Sequence, residues 1–299
     1  MEMASNKTLP VHRVFSTAEW KHRQKVHQES ISTILDPYLE KRSRHVKNPV
    51  LDFLFEYYQF RPSHLRRWSP GIGTAIETEG GDLPEISELT LRSNIAYLDP
   101  ADFPENRKSS AEWIHQFLLK TTDRKPSFGC FGLHEWAMVY RTGNIRHGQL
   151  PLRMDQEELA QFVESRPLVC THFDAYRFFT KQAQPLNKYE LSRNNFADNE
   201  QPGCIHNNMD LYKWAFKLYP WISSEVIREA FFLAIDARYI DMQASPYDLS
   251  GKGLKPIKIE TESGRTEYIE KQTMIYRKGI PVRNRLIEEY RNLLALITE

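Results

Sequence analysis

"SSEVIREAFFLAIDARYIDM", Ser223 to Met242, reads as a long amphipathic helix with a serine where a cap belongs. Directly before it, "HNNMDLYKWAFKLY" (206–219) is a second helical block, so two helices follow each other with only a short turn between them. The same period runs backward through "SSAEWIHQFLLKTT" (109–122), "LHEWAMVY" (133–140) and "DQEELAQFVESR" (155–166), where Asp155 and Glu158 make a start resembling a capping box. At the N-terminus Ser16-Thr17, with Glu19 in the first turn, opens "AEWKHRQKVHQESISTIL", which Pro37 is expected to punctuate. Forward of 242, "KPIKIETESGRTEYI" (255–269) alternates as a strand would and leads through a Ser-Gly turn into C-terminal helices that Pro281 should kink or split. The fold class expected is mainly α: one compact helical domain with a minor β component. Residues 1–46 form a helical arm and 47–299 the main body. Glycine, proline and acidic residues make 72–104 a loop-rich excursion with a few short strands.

Forty basic and 39 acidic residues leave a formal charge of +1 over 299 residues, so no global positive field draws the chain to duplex DNA or an anionic membrane. No apolar run is long enough to span a bilayer, and "MEMASNKTLPVHRV" lacks a signal core, which places the protein in the cytoplasm. Three cysteines without a C-x-x-C argue against a disulfide framework and for reduced thiols, buried or ligating.

Those three cysteines mark the chemistry. In "CFGLHEWAMVYR" (130–141), "CTHFDAYRFF" (170–179) and "GCIHNNMDLYKWAF" (203–216) each is followed closely by a histidine and an acid. On a helix His206, Asp210 and Trp214 fall at i, i+4 and share a face. His172 and Asp174 are two apart and converge only near a helix start or in an extended segment. His134 and Glu135 are adjacent, so one can face a site while the other supports it. His134, His172 and His206 with Glu135, Asp174 or Asp210 match the nitrogen and oxygen donors of an open iron, manganese or zinc site. A cysteine nucleophile, Cys204 or Cys170, fits the same residues. Substrate contacts are expected from "YYQFRPSHLRRWSPG", whose Arg61, Arg66, Arg67 and Trp68 suit an anion beside a planar ring. Tyr176, Arg177, Lys213, Trp214 and Tyr247 join them by their closeness to the motifs.

These blocks, with "DFLFEYYQFRPSHLRRWSPG" (52–71) and "ASPYDL" (244–249), together resemble a bacterial family of about this length commonly labelled 3-methyladenine DNA glycosylase, from about Phe53 to Tyr268. The resemblance implies excision of alkylated purines, for which Asp174 or Asp210 would stabilise the sugar cation and Trp214 would stack the flipped base. The residues themselves point first to a metal-dependent enzyme that hydrolyses or oxidises a small planar or anionic substrate. Its partner is then a small molecule rather than duplex DNA. The alternatives are the glycosylase and a non-catalytic ligand-binding protein.

Overall fold

The computed structural model describes residues 10–79, 81–143, 145 and 150–298. The first nine residues, read above for a signal core, lie outside the described residues. A short strand, β1 (Arg13–Phe15), precedes α1 (Thr17–Ser43), whose start is capped by the Ser16 hydroxyl accepting from the Glu19 N–H. The expected punctuation at Pro37 does not occur, and α1 runs through it. Ile31, Leu35 and Tyr38 are buried on either side of that proline, and their packing outweighs the ~3 kcal/mol an interior proline costs.

A π-helical turn (Phe53–Tyr57) and α2 (Pro62–Leu65) lead into the glycine-rich excursion, which holds β2 (Thr74–Glu77), β3 (Leu89–Arg92) and β4 (Ile95–Leu98). With β1 they form a mixed sheet of order β1-β2-β4-β3, in which Phe15 pairs with Ile76 and Ile76 with Ala96. Phe15, Trp20, Trp68, Ile76 and Ala96 make a small core beneath it.

The regular elements that follow are helices: α3 (Lys108–Thr122), α4 (Leu133–Ala137), α5 (Gln156–Glu164), α6 (Phe173–Tyr176), α7 (Phe196–Asn199), α8 (Ile205–Lys217), α9 (Ser224–Ala244) and α10 (Glu262–Leu296). Asp155 caps α5 by accepting from the Glu157 and Glu158 N–H groups. α9 packs on α8, α10 on both, and α3 on α10, around the main hydrophobic core. Ser223 stands at the cap position of α9, but its N–H (2.6 Å) and its hydroxyl both go to the Glu289 carboxylate, so this serine ties α9 to α10.

Two expectations for the C-terminal region are corrected. Residues 255–259 form no strand. The alternation reflects burial of Ile257 and Ile259, and the Ile257 N–H bonds the Gln243 carbonyl at the end of α9 instead of a neighbouring strand. The Ser-Gly pair is already the first turn of α10, where the Thr261 hydroxyl accepts from the Gly264 N–H at 3.0 Å. Nor does Pro281 split the region, because buried Ile275 before it and Val282 and Leu286 after it hold α10 against the core as one element.

His27, fully buried in α1, bonds the Leu65 carbonyl through Nε2 at 2.8 Å. Burial lowers its pKa from 6.5 to about 4, with the carbonyl offsetting only part of that. Between those two values the unfolded chain takes up a proton that the folded one refuses, so stability falls as pH falls from 6.5 towards 4, by about 2–3 kcal/mol. In His27→Gln that loss should be absent, and urea unfolding of both proteins at pH 7 and pH 4.5 checks it. Equal pH sensitivity in the two would contradict the assignment.

Candidate metal centre

The three Cys/His motifs meet. Cys130, His134, Cys170, His172, Cys204 and His206 all line one narrow pocket, with room for about one water-sized species. Each motif arrives by a different local device. Gly132, at φ +77°, turns the chain into α4 so that His134 faces inward. His172 occupies the N-cap of α6, its Nδ1 accepting from the Ala175 N–H at 3.2 Å. Cys204 is the N-cap of α8, which puts His206 in its first turn.

The tightest group contains a residue the motifs did not indicate. His134 Nε2 lies 2.8 Å from Asp241 Oδ1, and His206 Nε2 lies 3.7 Å from Asp241 Oδ2. The two rings are 4.5 Å apart at 77°. One ligand atom from each of His134, His206 and Asp241 falls within 4.8 Å of the others, and all three residues are buried. Such a group can hold a metal ion. Asp241 sits near the end of α9 on the stripe of Ala234 and Ala237, all three fully buried. An acid in register with an apolar stripe was the available signal.

Behind Asp241 stands Arg238, which bonds it and bonds Glu135 at 3.0 Å. Burial works against a charged Asp241, yet the protonated His134 and Arg238 outweigh it and hold the carboxyl well below the usual range. Burial likewise opposes protonation of His134, but Asp241 and Cys130 raise its pKa well above normal. His206 goes the other way: burial, with His134, His172 and Arg238 nearby, keeps it neutral against the pull of Asp241. Glu135 is thus not at the pocket and serves to balance Arg238.

His172 is not in the ligand group. Its ring lies 5.2 Å from that of His206, but its Nε2 faces Asp210 Oδ2 at 3.4 Å and Glu200 Oε1 at 3.7 Å while Nδ1 caps α6. Asp241 stands where the repeated Cys/His motif leads us to expect this histidine. Burial pushes Glu200 up to about 7, against the pull of His172. Glu200 follows α7 in irregular chain, where no periodicity could have pointed to it. Asp210 stays ionised despite its burial, held by Lys213 (3.3 Å), His172 and the Tyr58 hydroxyl (2.6 Å). Lys213 also bonds Asp174 at 3.1 Å, and Arg177 joins Asp174 (3.2 Å) to the Tyr57 hydroxyl (2.9 Å). A polar chain therefore leads from exposed Arg177 through Asp174, Lys213 and Asp210 to His172.

Other candidates lie elsewhere. Trp68 is buried under the sheet, stacks on Trp20 and bonds Glu225 at the start of α9, roughly 24 Å along that helix from Asp241. Arg66 pairs with Asp36, and Arg61 and Arg67 are exposed on the same segment, so this constellation does not join the pocket. Tyr247 is buried and bridges to Leu152, and Tyr176 packs on Phe179. Trp214 is buried beneath the Lys213 ammonium, 4.4 Å from its ring, and away from the pocket lining. The nucleophile candidates Cys170 and Cys204 both line the pocket. Hydrogen bonding to Cys130 raises the Cys170 pKa and burial raises that of Cys204, while Cys170 and His134 lower that of Cys130, whose Sγ is 3.4 Å from His134 Nδ1.

Fold and site together define a mainly helical protein with a buried His/His/Asp group that can bind a metal. No helix among the described residues is long and apolar enough to cross a membrane. No family model, no curated protein and no solved structure matches the chain.

Proposed function

We propose that the protein is a metal-dependent enzyme in which His134, His206 and Asp241 hold a divalent iron, manganese or zinc ion and act on a small polar substrate by hydrolysis or oxidation. The observation that carries this is the three buried donor atoms within 4.8 Å of one another. Two neutral-capable imidazoles and one carboxylate form a set that leaves coordination positions open. A bound metal supplies Lewis acidity toward a substrate oxygen. The chain supplies the rest: Arg238 and Glu135 orient Asp241, His172 faces the pocket beside the ligands, and Glu200, with a pKa of about 7, exchanges protons with His172 near neutral pH. The polar chain from Arg177 to His172 is the route for a proton.

Elemental analysis of purified protein tests this. Wild type and His172→Ala should carry near-stoichiometric metal, and His206→Ala should carry none. Wild type that stays metal-free after reconstitution, or His206→Ala that keeps its metal, would end this reading. The second reading is excision of alkylated purines, supported by the resemblance described above and by the ionised, buried Asp210 carboxylate, which suits a developing sugar cation. It requires release of free 3-methyladenine from alkylated DNA by the wild type and its loss in Asp210→Asn.

A further inference from the structure

A second cavity, of about 190 Å³, lies on the far side of the turn that delivers His134. Its walls are Phe131, Leu133, Phe162 and Ile259, and Arg166 and Arg265 flank it. An apolar cavity of ~150 Å³ accepts a benzene-sized body, so the walls fit a single ring or a short acyl chain. The two arginines specify what that body carries. Neither makes an ion pair with a carboxylate among the described residues, although Arg265 is half-buried, as are the paired Arg153 and Lys213. Arg265, in the first turn of α10, is positioned by bonds from one guanidinium nitrogen to the Ile259 (3.0 Å) and Glu260 (3.2 Å) carbonyls. That leaves its other N–H groups for a ligand in a fixed orientation, which reduces the ordering cost of binding.

From this combination we infer that the cavity is a binding site for a small amphiphilic carboxylate: an apolar ring or short chain in the pocket, its carboxylate held by Arg166 and Arg265. Charge complementarity decides against a neutral occupant, because two unpaired guanidiniums beside apolar walls favour an anion with an apolar body. The site backs onto the metal pocket through Phe131-Gly132-Leu133, and Phe131 holds φ +48°, a strained conformation for a side chain of that size. Occupancy of the cavity therefore bears directly on the segment that places His134. The inference does not depend on the metal reading.

Isothermal titration of the full chain with benzoate, and with benzyl alcohol as its neutral counterpart, tests the assignment. Benzoate should bind at one site at least tenfold more tightly than benzyl alcohol. Arg166→Gln and Arg265→Gln should each weaken it about tenfold, and His206→Ala should leave it unchanged, which separates this cavity from a carboxylate landing on a metal. Arg166 is exposed on the rim, so its variant folds even if loss of the Arg265 bonds disturbs the start of α10. Absence of benzoate binding at millimolar concentration, equal affinity for benzyl alcohol, indifference to Arg166→Gln, or loss of binding in His206→Ala would each overturn the proposal.

Discussion

Asp241→Asn should strip the protein of metal and also lower the unfolding free energy of the metal-free chain by about 3–5 kcal/mol. The two effects arise from one atom set. Asp241 is fully buried and its carboxylate faces three groups: His134 at 2.8 Å, Arg238, and His206 at 3.7 Å. An asparagine keeps the shape and removes the charge. It leaves the Arg238 guanidinium with only Glu135 to balance it in an interior that solvates ions poorly, and it removes the charge that holds the proton on His134. His206→Ala should lose metal just as completely at a smaller stability cost, because His206 is neutral in the folded protein and its removal unbalances no charge. Urea unfolding of chelator-treated proteins, run beside elemental analysis, separates the two variants. If metal-free Asp241→Asn were within about 1 kcal/mol of wild type, the charge network described around Arg238 would be wrong.

Gly279→Ala should destabilise the protein by about 2–3 kcal/mol, although helix propensity alone favours the change by about 1 kcal/mol. A Cβ at Gly279 would stand 2.1 Å from Asn208 Oδ1. Asn208 cannot swing aside without loss: it is fully buried, its Nδ2 donates to the Pro202 and Cys204 carbonyls at 2.8 Å each, and its Oδ1 accepts from Arg283 at 3.1 Å. Either α10 moves off α8 or this fork breaks at the turn that presents Cys204 and His206. The overpacking and lost bonds exceed the propensity gain. Thermal unfolding that showed Gly279→Ala as stable as wild type would mean that the helices separate at no cost.

Much of the helical architecture was legible because its determinants are local. The 3.6-residue period over 223–242, and the side chains of Ser16 and Asp155 at helix starts, act on residues three or four positions away, so the chain carries them in plain order. Failures of local reading came where packing overrode it. Pro37 and Pro281 interrupt no helix because buried residues on both sides hold the axis, and the alternation at 255–259 reflects burial without a strand partner.

The site divides in the same way. That Cys130/His134, Cys170/His172 and Cys204/His206 are candidates for one site follows from ionisable side chains set among aromatic and apolar ones, which a single sequence displays. Which of them share a point does not follow. Asp241 joins His134 and His206 in the group that can hold a metal because α9 packs against α8, bringing a carboxylate to His206 from a helix whose own pattern is apolar. Glu200 became the neutral-range acid beside His172 through burial, and the Arg66–Trp68 segment went to the sheet side with Asp36 and Glu225. The sequence by itself determined a mainly helical protein and the side chains available for its chemistry. Only the tertiary structure decided which carboxylate meets which imidazole, because those pairings act through space between residues 28 to 107 positions apart.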